Sequence, residues 1–234
     1  MLFATLDQLE SDPGRAVITL ATFVFALLVA LTFHEFNHAA VATRLGDRTA
    51  QAMGRLTLHP RAHLDPLGTA MLFLAGFGWA KPVIVTPSNL RGNPRSGMAI
   101  VALAGPMSNL ALAFVFAIPV KTGLVASDMV GFGPFDDPTD HLLGYVIGSM
   151  VFWNLLIASF NLIPMAPLDG FKVALGILPR GLASEFARLE QYGPMILFLI
   201  VMFDVIAPGP GILKSVIRPI LNGLNTVILG GQLL

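Results

Sequence analysis

Apolar runs long enough to cross a lipid bilayer limit this chain more than any other feature. Hydrocarbon offers no water to satisfy peptide groups, so a crossing segment must satisfy its own, and a helix that does so needs about 20 mostly apolar residues. Ala16 to Phe33, Met98 to Val120 and Leu142 to Ile163 are such runs. Two shorter ones follow: Tyr192 to Ile206, which carries Asp204, and Ile212 to Leu229, with Lys214 and Arg218 near its start. The first could be taken for a signal peptide, but its flank is acidic (Asp7, Glu10, Asp12) and it runs into His34-Glu35 with no small-residue cleavage site, so it reads as a retained helix. Composition agrees: 55% of residues are hydrophobic and 12% charged, against about 25% charged in ordinary soluble domains. Fourteen Lys and Arg balance fourteen Asp and Glu, so no basic excess is available to hold nucleic acid. The expectation is an all-α polytopic membrane protein, a single embedded domain over residues 1–234, with a core at about 16–171 and C-terminal helices at about 190–230.

Gly68 to Ala80 is apolar but too short to cross, a length that suits a re-entrant or buried element. Arg44, Arg48, Arg55 and Arg61 precede it, and Lys81, Arg91 and Arg95 follow. A dip that returns to its own side keeps all of these cations in the cytoplasm, as the positive-inside tendency requires. The same rule puts the acidic N-terminus and the Asp128 to Asp140 loop outside, and Lys172, Arg180 and Arg188 inside. The expectation is therefore five to six transmembrane helices, with a short re-entrant or strand element between the first and second full spans. Within that element, Lys81 to Pro87 alternates and is β-branched, as a short strand would be. Val83, Ile84, Val85 and Thr86 are candidates for holding an extended substrate by edge pairing.

The chemistry begins at His34-Glu35-Phe36-Asn37-His38, which continues the first apolar run. On a helix, residues i and i+4 share a face, so His34 and His38 can offer two imidazoles to one Zn²⁺. Glu35 lies beside them and can take the proton of a water activated by that metal. Ionisable residues that continue a membrane span are costly and functional by default. The chain has no Cys, so a third ligand must be His, Asp or Glu. His59 and His63 repeat the spacing, but in an Arg-rich stretch broken by Pro60 and Pro66, and His141 falls in the outer loop. Asp169 is better placed. It follows Pro164 and Pro167, which break the helix at the inner end of the third long run and free backbone carbonyls there.

HEFNH on the first span is followed in order by GRLTLHPRAHLDPLG, GWAKPV, ALAGPMSNL and NLIPMAPLDG. Together these resemble the site-2 protease family of intramembrane zinc metalloproteases, and most of all its minimal prokaryotic branch, which lacks a PDZ domain. The resemblance runs from about Phe33 to Phe171. It implies one zinc per chain held by His34, His38 and Asp169, Glu35 as general base, and hydrolysis of peptide bonds within the bilayer. By the same analogy Asn109 supports the substrate or oxyanion, and Asn161 bonds exposed backbone near the metal. The chain departs from the family pattern at Asn37, where Gly or Ser is usual, at His59, where Asn is common, and at Met165-Ala166 and Phe171.

The expected protein is a zinc-dependent intramembrane endopeptidase of the plasma membrane, multi-pass, with its site toward the cytoplasm. Its expected partners are a transmembrane protein substrate and the lipid bilayer, with no nucleic acid. Two alternatives stand beside it. An inactive relative that binds membrane helices would have no need of a base beside a metal. A divalent-metal transporter would spread polar residues along several spans, whereas here they gather at one depth.

Overall fold

The computed structural model describes residues 12–75, 78–125, 141–206 and 211–230. The expected outer loop at Asp128 to Asp140 lies outside these residues. The first helix, α1 (Pro13–Arg44), begins where Asp12 accepts the Arg15 N–H at 3.0 Å and Pro13 supplies a preset φ. Its 32 residues reach roughly 48 Å at 1.5 Å per residue, well beyond a hydrocarbon core. Ala26, Ala30, His34, His38 and Ala42 are buried at four-residue spacing, so one small-residue face carries both histidines.

That face meets α3 (Pro94–Lys121), whose buried residues Val101, Ala102, Gly105, Asn109, Ala113 and Ala117 follow the same spacing. Small side chains on both helices let the backbones approach closely, which is how membrane helices associate when lipid is as apolar as the packing residues. Behind α3 lies α4 (Leu142–Asn161), with Val151 and Leu155 against Ala113 and Ala117. The chain leaves α4 through Leu162 to Leu168 and enters α5 (Asp169–Ile177). A Cβ on Gly170 would stand 2.4 Å from the carbonyl oxygens of Leu162 and Ile163. Only glycine lets α5 start directly on the end of α4. Arg95 of α3 donates to the carbonyls of Leu175 and Leu178, closing the C-terminal end of α5.

The amphipathic α6 (Arg180–Ala187) passes through a 3₁₀ turn at Glu190–Tyr192 into α7 (Gly193–Ile206). The last helix is α8 (Ile212–Leu229). Asp204 is explained by its neighbours: its carboxylate accepts the N–H groups of Ile212 and Leu213 at 2.6 and 2.8 Å, capping α8. At the other end of α8, the Lys121 ammonium donates to the carbonyl of Ile228. Among the described residues, five segments are long and apolar enough to cross a membrane: α1, α3, α4, the stretch Arg180–Asp204 and α8. The protein is a multi-pass helical membrane protein.

Between α1 and α3 the chain makes a short hairpin with one helical arm. After one helical turn at Thr49–Ala52 comes α2 (Pro66–Ala75), and Gly78 has already returned to the start of α2. Leu64 and Ala80 form an isolated antiparallel bridge, and Lys81 N–H donates to the His63 carbonyl at 2.8 Å. The strand expected at Val83 to Thr86 does not form; no strand is present among the described residues. The reason is a lack of partners. Pro82 has no N–H, no neighbouring strand lies alongside, and the Thr86 N–H is taken by the Asp47 carboxylate at 2.7 Å. The alternation of β-branched residues is real, but a ladder needs a second edge.

Candidate metal centre

The start of α5 brings Asp169 against the histidine face of α1. Its Oδ2 lies 3.0 Å from Nε2 of His34 and 3.1 Å from Nε2 of His38. The three ligand atoms fall within 4.8 Å of one another, the one such His, Cys, Asp or Glu group among the described residues. Both histidines are buried, and the Asp169 side chain is 15% exposed.

Each imidazole is held from behind. His38 Nδ1 lies 2.7 Å from the carbonyl oxygen of Val101, which can only accept. His34 Nδ1 lies 2.7 Å from Oδ1 of Asn109. The orientation of that amide follows from its other contacts: Nδ2 of Asn109 donates to the Ala30 carbonyl at 3.0 Å and to Oδ1 of Asn154 at 2.9 Å. Both Nδ1 atoms therefore carry hydrogen, so each ring in its neutral form turns a bare Nε2 lone pair toward a carboxylate oxygen. Three acceptors facing one point require positive charge between them.

A metal ion fits this demand. Two imidazole nitrogens and one carboxylate oxygen are a donor set suited to zinc, and the Nδ1 partners are the outer-shell contacts that orient such ligands. Room for the ion is kept by Gly105, whose Cβ would stand 2.4 Å from Nε2 of His38 and 2.6 Å from Nε2 of His34. Pro106 next to it cannot donate to the Ala102 carbonyl, and Ala102 lines the site.

Two cavities meet here. One, of about 140 Å³, is lined by the three ligand residues together with Glu35, Lys172 and the Pro82 to Val85 segment. The other, of about 470 Å³, is largely apolar and lies between α1 (Phe23 to Leu31), the hairpin (Gly68, Leu72, Trp79) and Leu197 of α7. His34, Glu35, Pro82, Asn161 and Pro167 line both. Glu35 thus sits where the apolar chamber opens onto the ligand cluster.

The remaining expected residues fall as follows. Asn161 lines both cavities, with its Nδ2 donated to the Ile157 carbonyl at 3.0 Å. Val83 and Val85 line the smaller cavity, without a strand. Asn109 is fully buried with both N–H groups committed, so none is left for a substrate oxyanion. His63 is buried against the Thr57 carbonyl, His59 caps the turn before Arg61, and His141 is exposed at the start of α4; none joins the cluster. The sequence reading passed over Asn154 and Gly105. A lone Asn inside the apolar α4 run was the available signal for the first, and the glycine beside Pro106 for the second.

Fold and site together define a class: polytopic helical membrane proteins with a His-His-Asp group placed to bind a metal and a glutamate beside it. The chain belongs to peptidase family M50. The profile of that family matches residues 22–132. A protein of Bacillus subtilis (strain 168) named "Putative zinc metalloprotease YwhC" is 37% identical over 207 residues, covering 88% of each chain. Rip2 of Mycobacterium tuberculosis (strain ATCC 25618 / H37Rv), which bears the same description, is 32% identical over 179 residues, 75% of this chain and 64% of its own length. MJ0611 of Methanocaldococcus jannaschii, again so described, is 28% identical over 174 residues, 70% of this chain and 74% of its own. No solved structure matches the chain.

Proposed function

We propose that this protein is a zinc-dependent intramembrane endopeptidase that hydrolyses peptide bonds in or near transmembrane segments of membrane proteins. The observation that carries the reading is the place of Glu35, at the junction of an apolar chamber of about 470 Å³ and the His34, His38, Asp169 cluster. An apolar chain can lie in the first and meet a base and a metal site in the second. Zinc, when bound by His34, His38 and Asp169, supplies the Lewis acidity that polarises a carbonyl and acidifies water. Glu35 takes the proton of the attacking water and returns it to the leaving amine.

The rest of the chain prepares the substrate. A helical amide is shielded and already hydrogen-bonded, so the segment to be cut has to unwind before it reaches Glu35. The Val83 to Val85 segment borders the site without a strand partner, and we assign it to the unwound substrate backbone. Thr86 is excluded from that pairing, since its N–H belongs to Asp47. Asn161 lines both cavities, which supports assigning it to the same backbone. The hairpin from Leu64 to Ala80, whose two ends meet, is the re-entrant element. The cations flanking it support a site toward the cytoplasmic face of the plasma membrane.

The test combines metal analysis with cleavage of a transmembrane substrate by purified protein in detergent. Wild type is expected to hold about one zinc per chain and to cleave. Glu35→Gln keeps zinc and loses cleavage, while Asp169→Ala loses both. Wild-type cleavage by Glu35→Gln would refute the mechanism, and a wild type without zinc would refute the site.

A further inference from the structure

We infer that Asn154, in the middle of α4 and outside the ligand set, is a positioning residue that fixes the metal-binding tautomer of His34 through Asn109. The inference rests on the proposed reading of His34 as a zinc ligand. Asn154 is fully buried in an otherwise apolar stretch of its helix. Its Nδ2 donates to the Met150 carbonyl at 2.8 Å, which leaves Oδ1 pointing outward as an acceptor. That oxygen receives an N–H of Asn109 at 2.9 Å, and the Ala30 carbonyl receives the other at 3.0 Å.

With both N–H groups committed, Asn109 can show His34 only its Oδ1, at 2.7 Å from Nδ1. His34 must then carry its hydrogen on Nδ1 and keep the Nε2 lone pair free, 3.0 Å from Oδ2 of Asp169. Were the Asn109 amide to turn over, its N–H would face Nδ1 and the ring would have to protonate at Nε2, the form that cannot bind metal. The Ala30 carbonyl opposes that turn from α1. Asn154 opposes it from α4, and hers is the acceptor that a side-chain change can remove. The relay runs from Met150 through Asn154, Asn109 and His34 to the ligand point, across three membrane helices. Plain interhelical glue would also hold α3 to α4, but it would be indifferent to which atom of Asn109 faces the histidine.

The experiment is a double-mutant cycle on the full chain in detergent, read as zinc affinity by chelator competition, with the thermal midpoint of the zinc-free protein measured alongside. Asn154→Leu is expected to weaken zinc binding about 10- to 100-fold, the usual cost of losing an orienting outer contact. Asn109→Asp presents an acceptor to His34 whichever way it turns. In that background, adding Asn154→Leu is expected to change zinc affinity by less than about threefold. Asn154→Asp keeps an acceptor oxygen for Asn109 and is expected to stay near wild type; it decides the matter against Asn154→Leu if Asn109→Asp does not fold, and Asn154→Ala replaces the leucine if that variant fails. The inference is overturned if Asn154→Leu binds zinc as wild type does, if its cost is the same in both backgrounds, or if Asn154→Asp loses as much as Asn154→Leu. Failure of the proposed function looks different, since the wild type itself would then bind no zinc.

Discussion

The Asp47 carboxylate accepts the backbone N–H of Thr86 at 2.7 Å, tying the chain just beyond α1 to the end of the segment that borders the ligand cluster. The same carboxylate accepts the N–H and hydroxyl of Thr49 and the side-chain amide of Asn89. With Arg91 N–H bonded to the Leu45 carbonyl at 2.7 Å, these contacts set where Pro82 to Val85 lies relative to the histidines.

Burial alone would raise the Asp47 pKa, but the hydrogen bonds from Thr49, Thr86 and Asn89 prevail and lower it. A carboxyl whose folded pKa is depressed stabilises the fold above its unfolded pKa, near 4, and loses that contribution as pH falls through the folded value. The thermal midpoint of wild type is therefore expected to drop on acidification below about pH 4, and to drop less in Asp47→Ala. At neutral pH the variant leaves several donors without an acceptor, at about 1–3 kcal/mol for each one that stays buried. Its KM for a membrane substrate should rise while its zinc content stays at the wild-type level. Equal acid sensitivity in the two proteins would remove Asp47 from this role.

Gly105 gives a test of the ligand site that leaves every ligand in place. A methyl group at this position meets both Nε2 atoms at 2.4 to 2.6 Å, far inside contact distance, and it projects from the middle of a rigid helix. Gly105→Ala is expected to abolish stoichiometric zinc and cleavage, while the protein still purifies as a monodisperse helical species by circular dichroism. Full zinc occupancy in this variant would mean that the ion does not lie between the histidines and Gly105.

Most of the helical framework was legible in the sequence because bilayer length and hydropathy are local properties. The i, i+4 histidines were legible for the same reason: one helix determines which face they share. The segment between the first two long helices reads in the sequence as an apolar length too short to cross, flanked by cations on both sides. The strand was misread at Val83 to Thr86 because side-chain alternation is local and a ladder is not; the Thr86 N–H goes instead to Asp47, far earlier in the chain. Asn109 was assigned by analogy to substrate, whereas its amide is spent on Ala30 and Asn154. A polar residue in an apolar run announces that it has a partner, but not which one.

The hairpin can be disturbed without touching the metal ligands. A Cβ on Gly68 would stand 2.2 Å from the Trp79 carbonyl oxygen, so Gly68→Ala must push the two arms apart beside the larger cavity. Zinc affinity is expected to remain within about threefold of wild type, as for a site remote from the change. Cleavage of a transmembrane substrate should fall more steeply than that of a short soluble peptide. A parallel loss of zinc would show that the hairpin supports the metal centre itself.

Removing the metal should loosen the whole bundle, because the ligands come from α1 and from α5, which are far apart in the chain and meet only when folded. A ligand that binds the folded state alone stabilises it by RT ln(1 + [L]/Kd), about 2.7 kcal/mol at one hundred times Kd. Chelation is therefore expected to lower the thermal midpoint by several degrees, and added zinc to restore it. Asp169→Ala should begin at the low midpoint and gain nothing from zinc. Glu35→Gln keeps all three ligands and should show the full wild-type shift despite its loss of cleavage. If Glu35→Gln failed to respond to zinc, Glu35 would have to be counted among the residues that hold the metal rather than as the base beside it.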